Sequence, residues 1–479
     1  MAEALIKFYD KMQLSYENLL LKKKLWAWTA ALLIFQAFLL GVLKPELALL
    51  VVMGLLGAAL GVVYPDHALL LYVLSSCFPF IQFGEVEGRY GMSEGLYPTE
   101  IMLGFLVFVW VFRMMTDREI RFQVDRTDFA LMALCGIYVM AVLVSYISWP
   151  LKIMRSHVYM ITQIAQVGML FMCASAYWLV ANGPSSRRWL HRMIYAFVGL
   201  TVFLALTKLP LLRELWLSVG EIIPRQDLLM VQGSMLAFSL GIYSSGKKRI
   251  RWFLVGLLPF GVVSVNLTWV SGWIATMVGL STVAILSSRR YFFFFALFAL
   301  AMVALNWEYF DERLIQHSRL TGDFHRFFLM EDSVRIWKEH PWFGVGPGNY
   351  YQVYTNYYAP LWNRPIYYTT AHTNYGEVLA ETGVFGFVAF WIFFLFVGWD
   401  LFNGWRKEKD PVQKGMLLGI MGSSAGLMVA SMAGDYLIPD RANQGLKTFS
   451  AAVYFWMMLG AAKAISRGWP AEDERMKEE

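Results

Sequence analysis

Long apolar runs alternate with short polar connections along almost the whole chain. A membrane-spanning helix needs about 20 apolar residues, within a range of roughly 17–25. Fourteen runs fit: 25–43, 46–63, 68–83, 98–115, 128–147, 158–181, 189–208, 228–244, 252–268, 272–287, 291–306, 378–399, 415–434 and 448–465. Several are short, and the break at Leu267–Gly272 is the least marked, so the pattern predicts twelve to fourteen spans. The expected architecture is an all-α polytopic integral membrane protein. A polar segment 1–24 precedes helices over 25–306, a long loop 307–377, helices over 378–465 and a tail 466–479.

Composition supports this reading. The AVILMFWYC set makes up 58% of the 479 residues, charged residues only 16%, and the mean hydropathy is +0.48. Soluble domains sit nearer 45–50% apolar and about 25% charged. Cys77, Cys135 and Cys173 lie within apolar runs and are too few for a disulfide framework. Met1 to Lys24 is polar and ends in Lys22-Lys23-Lys24, without the features of a cleavable leader.

Charge orients the spans. The net charge is +6, from 41 Lys and Arg against 35 Asp and Glu. Under a fourteen-span count, the loops on one side carry Arg113 to Arg126, Arg187 to Arg192, Lys247 to Arg251, Arg289-Arg290 and Arg406 to Lys409. Lys and Arg concentrate in cytoplasmic loops, so both termini are expected inside. No nucleic-acid partner is implied, because anionic lipid accounts for the basic loops. No internal repeat stands out, which counts against a transporter of inverted halves.

The 307–377 connection differs from the rest and falls on the outer side. Long loops inside a compact protein are usually functional or disordered, and this one is too aromatic for disorder. It holds His317, His325, His340 and His372, four of the seven histidines, with Arg313, Arg319, Arg326, Arg335 and Arg364. Helical spacing runs over Asp323–Lys338, with Phe327, Met330, Val334 and Trp337 on one face, and His340-Pro341 ends it. Then comes Gly344-Val345-Gly346-Pro347-Gly348. It lacks the Lys-Ser/Thr of a phosphate loop, so a tight turn is expected, where glycines allow unusual backbone angles.

A dense aromatic stretch follows from Tyr350 to Tyr368 and includes Tyr351 and Trp362. It reads either as an interfacial belt or as a platform for sugar rings. The segment closes on His372-Thr373-Asn374, with Glu377 and Glu381 four residues apart. An acid at the end of a span is a functional candidate.

These residues resemble the bacterial O-antigen ligase and O-antigen polymerase superfamily. The resemblance rests on Arg326 at a helix start, His340-Pro341 before Gly344, Gly346 and Gly348, then His372 with Asn374, Glu381, Gly383 and Gly386. It covers roughly 60 residues closely, and the hydrophobic architecture extends it over the chain. It implies a GT-C-like membrane glycosyltransferase of the bacterial inner membrane, working on the outer face. The donor would be a glycan on undecaprenyl diphosphate, the acceptor a saccharide or lipid-linked hydroxyl, and no metal or other cofactor would take part.

In that reading His372, Arg326 and Glu381 are the catalytic set. Arg335, Arg319, Arg225, Asn374, Tyr351 and Trp362 contact substrate. The sequence departs from the family where a Ser-Arg-Gly-like stretch is usual: Ser271-Gly272 stands there without an Arg. The competing class is a transporter or flippase of lipid-linked saccharides. It would favour charges in the middle of spans, and few are found.

Overall fold

The computed structural model describes residues 64–75, 83–87, 93–96, 98–116, 122–148, 157–183, 186–209, 226–265, 270–305, 307–310, 324–363, 370–439 and 449–468. The first two expected spans, 25–43 and 46–63, lie outside these residues, as does the whole of the polar segment 1–24.

The protein is an all-α polytopic membrane protein. From residue 98 onward every expected span coincides with a helix. In chain order these are α1 (Pro65–Ser75), α2 (Pro98–Thr116), α3 (Arg126–Ser148), α4 (His157–Asn182), α5 (Arg187–Thr207), α6 (Gln226–Ile242), α7 (Gly246–Val265), α8 (Val270–Ser287), α9 (Arg289–Leu305), α10 (Phe324–Glu339), α11 (Asn374–Lys407), α12 (Pro411–Ala430) and α13 (Phe449–Arg467). Helix α10 belongs to the long loop. The weakly marked break near 267–272 is real, since α7 ends at Val265 and α8 starts at Val270. Five of the described helices are long and apolar enough to cross a membrane: Thr99–Thr116, Arg126–Ser148, Thr162–Asn182, Arg187–Thr207 and Asn374–Lys407. Among the described residues, the one pair of strands is a small antiparallel hairpin, Phe83–Glu87 with Ser93–Leu96, around the 84–97 connection.

Helix packing follows membrane rules. With lipid on the outside, close approach and van der Waals contact hold helices together. Helix α12 nests between α6 and α8. A Cβ on Gly426 would overlap the Ala275 carbonyl of α8. Helix α13 lies along α4, and α11 along α3. Trp456 of α13, fully buried, stacks on Phe393 of α11 at 5.2 Å.

Three side-chain contacts collect the basic connections on one face. Arg126 pairs with Asp400 at 2.8 Å, Arg187 with Asp410 at 3.6 Å, and Trp405 Nε1 donates to the Tyr243 hydroxyl at 3.0 Å. The loops expected to be cytoplasmic therefore share one end of the bundle.

Candidate functional site

At the other end of α11, the long loop folds onto the helix. Helix α10 spans Phe324–Glu339, close to the expected run, and stops where His340-Pro341 follows. Its buried face differs from the expected one. Leu329, Asp332, Ser333 and Ile336 are buried, whereas Met330 and Val334 are partly or wholly exposed. The cause is the neighbour: α10 lies on the start of α11, where Gly376 admits it. A Cβ there would meet Met330 Sδ and Ser333 Oγ at 3.0 Å. Polar Asp332 and Ser333 therefore face inward. The Tyr354 hydroxyl donates to Asp332 Oδ2 at 3.2 Å, and Ser333 Oγ donates to the Leu329 carbonyl at 2.8 Å.

The glycine run is a docking turn. Gly344, Gly346 and Gly348 all adopt positive φ. The turn lies against a break in α11 at Gly383, which has φ 66 and ψ −163, a combination open essentially to glycine alone. Four backbone bonds join the two segments. Val345 N–H donates to Ala380 O at 2.9 Å, Gly346 N–H to Glu381 O at 2.8 Å, Val384 N–H to Pro341 O at 2.8 Å, and Phe385 N–H to Trp342 O at 3.4 Å. The break at Gly383 frees these carbonyls and amides from the helix ladder, and the turn satisfies them.

Glu381 is fully enclosed in this junction. Its Oε1 accepts the Tyr350 N–H at 3.0 Å. That bond fixes the start of the aromatic stretch, which runs as Tyr350–Val353, a π-turn Tyr354–Tyr358 and Ala359–Leu361. The stretch divides by function. Tyr350, Tyr354 and Tyr358 build a small core with Leu329, Ile336 and Val345. Tyr357 is exposed, and Tyr351 and Trp362 are half-buried. Trp362 stacks on Tyr358 at 4.6 Å, and the Arg335 guanidinium lies over the Trp362 ring at 5.5 Å while pairing with Glu331. Arg335 and Trp362, both expected to touch substrate, are thus neighbours.

Beside them, Tyr358 donates to Glu339 Oε2 at 2.8 Å and meets His340 Nε2 at 3.1 Å. Burial pushes the His340 imidazole below its usual range and, with the Glu339 carboxylate, pushes the Tyr358 phenol up.

His372 stands just ahead of α11, half-buried, between buried Ala371 and Thr373. Its φ of 48 is unusual for a residue with a side chain. Such strain persists only where the surroundings enforce it. The enforcing contacts run on both sides. His372 N–H donates to Thr370 Oγ1 at 3.3 Å, and Thr373 Oγ1 and Asn374 N–H donate to the Ser431 carbonyl at 3.2 and 3.1 Å.

The Asn374 amide is committed to the 431–439 loop. It donates to Ile438 O at 2.7 Å and accepts the Leu437 N–H at 2.8 Å. Within that loop Asp435 is buried, and the Tyr436 hydroxyl touches the Ser271 hydroxyl in a very short contact. Ser271 opens α8 at the place where the Ser-Arg-Gly-like stretch was expected. The 431–439 loop therefore bridges the Ser271 and His372 segments. Sequence reasoning passed over Asp435. An acid between apolar runs at a span end was the available signal.

Arg326 occupies the first turn of α10. Arg319 and Arg225 lie outside the described residues. Among the described residues, no group of three or more His, Cys, Asp and Glu side chains is placed to hold a metal ion.

Residues 270–391 match the family model for O-antigen ligase. Over this segment the chain is similar to O-antigen ligases. The match supports the resemblance to the O-antigen ligase/polymerase superfamily. No curated protein gives a match. The O-antigen ligase segment opens at α8 beside Ser271, takes in the whole loop, and ends inside α11 beyond Gly386. It contains Arg326, Arg335, His372 and Glu381 and leaves out the bridging 431–439 loop.

Proposed function

We propose that this protein is an inner-membrane glycosyltransferase that moves a glycan from undecaprenyl diphosphate to a hydroxyl acceptor, by ligation or by polymerisation, on the outer face. The observation that carries this reading is the strained His372, held at the junction of α10, α11 and the 431–439 loop within the O-antigen ligase segment.

In the proposed reaction an acceptor hydroxyl attacks the anomeric carbon. The bond from that carbon to the phosphate oxygen breaks, its electron pair leaves with undecaprenyl diphosphate, and the hydroxyl proton passes to the His372 imidazole. Imidazole suits this work because it exchanges protons near neutral pH. Negative charge grows on the leaving diphosphate, so cationic donors aimed there stabilise the transition state. Arg326 takes that role, with Arg319 and Arg225 as further contacts. Its guanidinium fork fits phosphate in a way that an ammonium does not. Arg335 with Trp362, Tyr351 and Tyr357 offers stacking surface and charge for the sugars. Glu381 and Asn374 serve as positioning residues: one fixes the aromatic stretch, the other fixes the loop that holds His372.

The test uses the purified full chain with an undecaprenyl-diphosphate-linked glycan and an acceptor. His372→Ala should insert normally and bind donor, yet transfer about 10²–10⁴-fold more slowly. Transfer within a few-fold of wild type rejects the role. Arg326→Lys should keep its fold and lose most transfer, because one ammonium replaces a bidentate fork. Full transfer by that variant removes Arg326 from the diphosphate.

A further inference from the structure

The far end of α11 carries a cavity that the glycosyl-transfer reading does not use. It has a volume of about 620 Å³ and lies among the ends of α3, α11 and α13 and the 408–409 connection. The stretch of α11 from Val384 to Lys407 is 24 residues, or about 36 Å at 1.5 Å per residue. The hydrocarbon core of a bilayer is about 30 Å thick. The cavity is therefore a membrane's width from the break at Gly383.

Its charge is one-sided. The lining holds five Lys and Arg against three carboxylates. Three of the cations are already engaged: Arg126 by Asp400, Lys463 by Asp125 and Asp400, and Arg467 by Asp125 and the buried Asp128. The other two, Lys407 and Lys409, are exposed and make no ion pair among the described residues. The engaged cations form a fixed back wall, and these two lysines stand at its rim as positive charge awaiting an anion.

A second observation says what kind of anion. The flank of α11 leading to the cavity is an exposed apolar stripe: Phe385, Val388, Ile392, Leu395, Trp399 and Phe402. They recur at steps of three and four, hence on one helical face. On a spanning helix that face meets acyl chains. Trp399 belongs both to this stripe and to the cavity lining, and it is 57% exposed. A soluble anion would have no use for the stripe. A lipid uses both parts.

We propose that this cavity binds the headgroup of an acidic phospholipid, with its phosphate on Lys407 and Lys409 and an acyl chain along the Phe385–Phe402 stripe. Basic pockets between spanning helices suit anionic headgroups for this electrostatic reason.

The test is lipid retention by the detergent-purified full chain, read by native mass spectrometry after exposure to phosphatidylglycerol, cardiolipin or phosphatidylcholine. Wild type should retain the acidic lipids over phosphatidylcholine. The double variant Lys407→Gln/Lys409→Gln should retain them roughly ten-fold less. A control, Lys247→Gln/Lys248→Gln, removes equal charge from exposed positions next to Tyr243 on the same face and should retain them normally.

Equal losses in both double variants would mean general surface attraction and overturn the site. Unchanged retention in the Lys407/Lys409 variant would also overturn it. A third arm adds inorganic pyrophosphate. Displacement of acidic lipid by pyrophosphate at a similar concentration would assign the cavity to a soluble anion and overturn the lipid proposal. All variants are checked for a single monodisperse species first, which exposed lysine changes should not disturb.

Discussion

The two ends of α11 are held by different forces. At the His372 end, backbone meets backbone. Four amide–carbonyl bonds join the 341–346 turn to residues 380–385, and Glu381 adds its carboxylate to a fifth amide. At the Lys407 end, side-chain charges do the holding. Lys463, nearly buried, bridges Asp125 and Asp400, while Arg467 reaches Asp128. A junction of backbone groups depends on shape and is nearly blind to charge. An ionic junction depends on complete pairing and tolerates changes of shape. The end proposed to react, where geometry must be kept to a fraction of an ångström, has the shape-dependent junction.

The comparison breaks most severely at Gly383. A Cβ there would overlap the Trp342 carbonyl, and the backbone angles exclude other residues. Gly383→Ala should destabilise the junction by roughly 3 kcal/mol. Glycosyl transfer should be lost, and proteolysis within 341–363 should appear while the remaining helices stay protected. Protection equal to wild type would mean that the turn is not held by this contact.

At the opposite end, Lys463→Met should cost less, about 2 kcal/mol, because Asp125 and Asp400 lose a buried partner but keep some water. It should lower the thermal midpoint and leave the loop's proteolytic pattern unchanged. A change in loop cleavage would show that the two ends are coupled.

Acid separates the ends by a smaller effect. Burial holds the His340 imidazole below its usual value of 6.5. The neutral form is thus preferred in the folded loop. Its contribution to stability is complete above that value and is lost as pH falls through the lower folded-state value. The melting difference between wild type and His340→Gln should therefore shrink between pH 8 and pH 5.5. At the other end, burial raises Asp125, but the Lys463 ammonium and Arg467 guanidinium outweigh it and hold the carboxyl below its usual value of 3.8. That contribution should survive pH 5.5 and fade only below 3.8. A difference between wild type and Asp125→Asn that already fades at pH 5.5 would contradict the assignment.

The sequence made the spans legible because lipid imposes one crude rule on every one of them: about twenty apolar residues. At the candidate site the glycine turn was legible, because Gly344, Gly346 and Gly348 adopt the backbone angles that only their residue type takes readily. The site was not legible where partners lie far apart in the chain. Ser271 and Tyr436 are separated by 165 positions, and no local pattern announces their meeting. The inward face of α10 was misread for a related reason. Apolar Met330 and Val334 suggested a core, but Gly376 opposite accepts polar Ser333, and Asp332 finds the Tyr354 hydroxyl. The hairpin at 83–96 was missed because its three Glu break any apolar alternation.

Because its grip is made of amides and carbonyls, the 341–346 turn reads almost nothing of the exposed side chains it carries. In a saturation library of this segment, Trp342 and Phe343, which keep solvent exposure, should accept many replacements, each altering only the outer face of the turn, while Val345, fully buried in the small core, should accept only apolar residues of similar size. Gly344, whose Cβ would overlap the Ala380 carbonyl, should accept almost none. The protein thus separates an invariant latch from a variable face within six consecutive residues. Under the proposed function, substrate preference is free to drift across that face without the latch loosening.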